Sequence, residues 1–154
     1  MLKYLIPVAA TLSLVAFAAQ SRSEAVIDET PLEGRLAWHL SHEGETAKLA
    51  YGVAHSDQIV IMLTCAPGDR QVQAFGVVTP TGAAVQEGPV PVDPLTGLAM
   101  SDVAVDIDSE ALTSLRDRDG LPVMGEAGPA DLPVTQGDKA VIDGFFSHCG
   151  ATRA

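Results

Sequence analysis

His55, Ser56 and Asp57 stand side by side in the segment YGVAHSDQIVIMLTC, residues 51–65, and supply the three side-chain types of a serine-hydrolase triad. A triad needs its hydroxyl within hydrogen-bond reach of an imidazole, and the imidazole within reach of an orienting carboxylate. Adjacent residues serve that geometry badly. On a strand His55 and Asp57 face away from Ser56, and a helix spreads neighbours around its circumference. The strained Gly-x-Ser-x-Gly turn that presents a nucleophile in α/β-hydrolases is also missing. The segment therefore predicts a loop, in which Ser56 or Asp57 bonds nearby backbone amides and releases the chain into the apolar run Ile59 to Cys65.

Three further groups have the right residue types for chemistry. In LRDRDGLPVMGE, Asp117, Asp119, Gly120 and Glu126 match four positions of a twelve-residue calcium loop. That loop wants an oxygen ligand where Leu115 stands, and Pro122 has no amide N–H for the pairing at the eighth position, so an ordinary acidic turn is the expectation. Asp102, Asp106 and Asp108 alternate with Val103, Val105 and Ile107. They are candidates for a carboxylate pair or a hard-cation site, yet alternation alone puts them on the wet side of a half-buried strand. His39 and His42 in HLSH, with His148 or His55 brought near by the fold, are candidates for a borderline metal. Their spacing does not single out a ligand set, so no catalytic, cofactor-binding or metal residue is assigned and no cofactor is expected.

The cysteines are more informative. The chain opens MLKYLIPVAATLSLVAFAAQ, with Lys3, an apolar stretch through Phe17 and the small-x-small triplet Ala16-Phe17-Ala18, the pattern of a secretory signal peptide over residues 1–18. Export places the two cysteines, Cys65 and Cys149, where a disulfide forms and persists, and they lack the close spacing of a zinc knuckle or a CxxC redox motif. A structural bridge follows. The apolar core of the leader is short for a membrane span and no second segment of spanning length comes after it, which predicts a periplasmic or secreted protein without a stable membrane anchor.

Removing 18 of the 154 residues leaves 136, enough for a single domain. The formal net charge is −11, and loss of Lys3 with the leader makes it −12. Such acidity argues against nucleic acid or anionic lipid as partner.

Residues 19–34 are polar and aperiodic and are expected to be a flexible acidic lead-in, with one globular domain over 35–150. RLAWHL and TAKLAY alternate, with Leu36, Trp38, Leu40 and then Ala47, Leu49, Tyr51 on one face, and predict a hairpin about SHEGE. IVIMLTC is continuously apolar and β-branched, which predicts a central strand covered on both sides. RQVQAFGVV pairs back across the Pro67-Gly68 turn, and TPTG ends it. SEALTSLRDR predicts a short helix stopped by Asp119-Gly120, and LPVMG a last short strand. In TQGDKAVIDGFFSHCG, Thr135 and Asp138 have capping-box spacing. Val141, Ile142, Phe145, Phe146 and Cys149 then form one apolar stripe, with Gly150 as a left-handed stop. The fold class is α+β, mainly antiparallel β-sheet or sandwich, with a disulfide-stapled C-terminal helix and one further short helix.

The early tryptophan, YGVAHSD before a β-run ending in cysteine, and the final FFSHCG together resemble small exported proteins of Gram-negative bacteria that carry no assigned activity. The resemblance covers about two-thirds of the expected mature chain, by the motif positions above. It implies a β-rich, disulfide-stapled fold and no catalytic residue. Two functional classes follow from these observations: a noncatalytic module that binds a protein or envelope component through a sheet face or edge, and a small hydrolase with a carboxylate- or metal-based site. A concave pocket with convergent polar groups distinguishes the second from the first.

Overall fold

The computed structural model describes residues 35–84, 89, 91–94 and 97–151. The expected leader, residues 1–18, and the expected lead-in, residues 19–34, lie outside them. The described chain is α+β. A five-stranded antiparallel sheet has the order β1 (Leu36–Glu43), β2 (Thr46–Val53), β3 (Ile59–Cys65), β4 (Gln71–Gly76), β6 (Ser101–Asp106). A smaller antiparallel sheet contains β5 (Thr79–Pro80), β7 (Leu121–Gly125) and β8 (Gly128–Leu132). The helices are α1 (Glu110–Asp117) and α2 (Lys139–Cys149), the latter led in by a single 3-10 turn at Gln136–Asp138.

The large sheet is built from hairpins whose alternation decides which side is buried. Trp38, Leu49, Tyr51, Ile61, Leu63, Val72, Ala74, Val103 and Val105 all fall on one face and are buried. That face shares a single hydrophobic cluster with Leu112 and Leu115 of α1, Ile142, Phe145 and Phe146 of α2, and Leu121 and Val123 of the small sheet. One helical stripe and one alternating sheet face thus bury each other, as an amphipathic helix and a half-polar sheet must.

β3 is the middle strand of the five, as its composition predicts, but it is covered on one side only. Ile61, Leu63 and Cys65 are buried, whereas Val60, Met62 and Thr64 are half-exposed. The apolar run exceeded what one-sided burial needs, and the surplus sits on the outer face. Glycines admit the neighbouring strands to the start of β3. A methyl group at Gly52 would lie 2.5 Å from the Gln58 carbonyl oxygen, and one at Gly76 would collide with the Val60 carbonyl and come within 2.7 Å of Ile61 Cα.

α2 is anchored at both ends. At its start Thr135 and Asp138 form the capping box, with Asp138 Oδ2 accepting the Thr135 amide and hydroxyl, both at 2.7 Å. At its end Cys149 is disulfide-bonded to Cys65 with Cα atoms 5.7 Å apart, and the Gly68 N–H donates to the Cys149 carbonyl at 2.9 Å. The strand, its turn and the helix terminus are therefore tied covalently and by a hydrogen bond. Gly150 closes α2 in a right-handed conformation, φ −77°, instead of the expected left-handed one, because its N–H still reaches the Phe146 carbonyl. In α1 the Ser109 hydroxyl accepts the Leu112 N–H, and Arg118 takes the left-handed stop at φ 72°, one residue ahead of the predicted Asp119-Gly120. Arg118 then bonds Asp143 of α2 at 2.9 Å, while the Arg116 guanidinium lies 4.7 Å over the Phe146 ring. Among the described residues no helix is long and apolar enough to cross a membrane.

Candidate functional site

The outer face of the large sheet is read off its register. One row across it runs His39, Ala50, Met62, Phe75 and Asp102. The next runs Ser41, Lys48, Thr64, Gln73 and Ala104. Ala50, Met62 and Phe75, with Val60 beside them, make a short apolar strip whose Phe75 is 38% exposed. Lys48, Thr64 and Gln73 border it with hydrogen-bonding groups. Lys48 pairs with Glu43 on this face, and the hydrogen bond and charge of Lys48 hold the Glu43 carboxyl below its ordinary value. His39 Nε2 donates to the Gly52 carbonyl at 3.3 Å and so keeps its ring against β2.

At one end of this face lies a broad hollow of about 690 Å³, lined by Thr46, Thr64, Arg70, Gln71, Gln73 and Asp106 among others. Its carboxylates serve the backbone. Asp69 Oδ2 accepts the Ala66 N–H at 2.8 Å, and Asp106 Oδ1 accepts the Asp108 N–H at 2.9 Å. A second, more apolar cleft of about 630 Å³ opens beside the small sheet, between Val78, Leu98, Val123, Met124 and Leu132. Neither hollow gathers a nucleophile, a base and an orienting group.

The residues singled out from sequence go to separate places. His55 occupies a turn with φ 56°, Ser56 Oγ donates to the Val53 carbonyl at 2.9 Å, and the same oxygen accepts the Gln58 N–H at 3.1 Å. That is the loop the segment predicts, and the serine hydroxyl is committed to the backbone. Of the three aspartates, Asp102 and Asp106 share the outer face of β6, while Asp108 has left the strand and its N–H closes the turn into α1. In the calcium-loop segment Leu115 is buried in α1 and residues 121–125 form β7, so no twelve-residue loop exists there.

His39 and His42 lie on opposite faces of β1, because residues three apart on a strand point oppositely. His42 instead meets His148 of α2, their ring centroids 5.0 Å apart. Among the described residues no group of three or more His, Cys, Asp or Glu side chains is placed to hold a metal ion.

Sequence reasoning missed β8, whose GPADL does not alternate and carries Pro129. It also missed the second task of Asp138. This carboxylate, 5% exposed, accepts the Trp38 backbone N–H at 3.2 Å in addition to the two groups of Thr135. Trp38 Nε1 donates to the Pro133 carbonyl at 3.0 Å. The segment from Pro133 to Asp138 thereby occupies the middle of the outer edge of β1, where an unpaired strand otherwise invites pairing with another chain. Tyr51 packs on Trp38 at 5.1 Å between ring centroids, and burial, then the Asp138 charge, raise its hydroxyl above the ordinary value. The capping-box spacing marked Asp138, but nothing local in the sequence shows that it also reaches a strand 100 residues away.

No protein-family model, curated protein or solved structure matches this chain.

Proposed function

We propose that the chain is an exported, noncatalytic binding module that engages a protein or envelope component through the outer face of its five-stranded sheet. The observation that carries this reading is the strip of Val60, Met62 and Phe75, apolar side chains left half-exposed in the centre of a sheet whose other face is packed. A small apolar centre with a polar border is the anatomy of a protein interface, whereas an enzyme site gathers polar groups at the floor of a concavity. The separation of His39 and His55 from the other histidines and the commitment of Ser56, Asp69 and Asp106 to backbone partners favour binding over hydrolysis. The leader-like N-terminus and the disulfide support a periplasmic or extracellular setting, where such a bridge persists. The net charge of −11 favours a neutral or basic partner.

The test is a double substitution, Met62→Lys with Phe75→Lys, in the exported protein. Co-purification from the native compartment should recover a stoichiometric partner with the parent, and the variant should lose it while keeping the parent's urea midpoint. Equal recovery by parent and variant would remove the sheet face from consideration.

A further inference from the structure

His42 and His148 are 106 residues apart in sequence, and the fold brings them together where the first hairpin meets the end of α2. Their centroids are 5.0 Å apart and their planes meet at 66°. A metal–imidazole bond of about 2.0–2.1 Å puts the ion about 3.2 Å from the ring centroid. Two rings sharing one ion at angles between a right angle and a tetrahedral one are then about 4.5–5.2 Å apart. The observed separation falls inside that window.

The second feature is the hydrogen bond on His148. Its Nε2 lies 2.8 Å from the Glu45 carbonyl oxygen, which can only accept, so Nε2 carries the proton. In the neutral ring the lone pair is left on Nδ1. An N–H bonded to a backbone carbonyl is the arrangement that fixes the tautomer and orientation of a ligating histidine. His42 is exposed and His148 half-buried, so an ion reaches the pair from solvent.

We propose that His42 and His148 form a two-histidine site for a borderline divalent ion such as Zn²⁺, with water in the remaining positions. Imidazole suits Zn²⁺, Cu²⁺ and Ni²⁺, and the absence of thiolate or clustered carboxylate argues against softer or harder ions. Cys149 follows His148 directly but is held in the disulfide and supplies no thiolate. The ion would join β1 to α2 on the helix-covered side of the sheet, a second link beside the Cys65–Cys149 bridge. It would stabilise the folded chain to the extent that it binds that state alone.

The experiment is calorimetric titration of the oxidised, tag-free protein with Zn²⁺, alongside thermal unfolding with and without the ion. One ion should bind per chain and raise the unfolding midpoint. His42→Ala should weaken binding by about tenfold or more and abolish the thermal shift, and His148→Ala should do the same, while His39→Ala should leave both unchanged. Loss of a single ligand from an exposed position leaves the fold intact, so His42→Ala decides the matter even if His148→Ala disturbs the helix end. Binding that survives His42→Ala, or no saturable binding by the parent, would overturn the proposal and leave a stacked pair of rings.

Discussion

Opening the Cys65–Cys149 bridge should cost about as much stability as truncating a large, fully buried side chain such as Phe145. The cysteines are 84 positions apart, and closing a loop of that size removes about 4.6 kcal/mol of chain entropy from the unfolded state in the simplest model. The folded state should change little. Gly68 would still donate to the Cys149 carbonyl, and Ile142, Phe145 and Phe146 would still be buried against the sheet. Strain relief and residual structure in the reduced unfolded chain lower the figure, so a loss of about 3–4.5 kcal/mol is expected. That is a large share of the roughly 5–15 kcal/mol available to a domain of this size. Equilibrium urea unfolding of the oxidised and reduced parent measures it. The m-value should rise on reduction because the open unfolded chain exposes more surface. The paired variant Cys65→Ala/Cys149→Ala should lose slightly more, having also given up two buried sulfurs. A difference below about 1 kcal/mol at constant m would refute the entropic argument, and titratable thiols in the oxidised, folded protein would refute the bridge itself.

Gly76→Ala should destabilise the protein by about 1–3 kcal/mol, read as a lower urea midpoint, since the new methyl has only backbone to displace at β3. Asp138→Ala should cost about 2–3 kcal/mol by stranding the Trp38 and Thr135 amides, and the near-ultraviolet dichroism of Trp38 should change with it. The raised Tyr51 value means that the folded state holds the phenolic proton more tightly than the unfolded state does. Its contribution is therefore constant below the unfolded value of 10.0 and declines as pH climbs through the higher folded value. Stability measured against alkaline pH should show that decline, and Tyr51→Phe should remove it. Met62→Lys/Phe75→Lys should change stability by less than about 1 kcal/mol, because both side chains lie on the exposed face.

The hairpins and both helices were legible because each rests on a local pattern, such as alternation in RLAWHL and TAKLAY, the capping-box spacing of Thr135 and Asp138 and the stripe ending at Cys149, and the disulfide because the chain has two cysteines and a leader-like N-terminus. What failed depends on distant contacts. IVIMLTC reads as buried on both sides because composition does not reveal where the layers stop, and both helices joined the one cluster beneath it. β8 has no alternation to detect and forms because β7 offers it a partner. Arg118 adopts φ 72° with its guanidinium bonded to Asp143, an ion pair between two helices that no local rule shows. For the site, the negative results on His55, Ser56 and Asp57 were accessible from backbone geometry alone. The pairing of His42 with His148 required the fold, since it joins opposite ends of the described chain.

Site-specific photocrosslinking is the most direct test of the outer sheet face as the binding surface. A photoreactive side chain replaces Phe75 in one variant and the exposed Lys139, at the start of α2, in another. Both are exported from cells at native level and irradiated. A discrete adduct of one partner from position 75, with none from position 139, is the predicted result. Adducts from position 139 with none from position 75 would contradict it and place the contact on the helical side of the molecule.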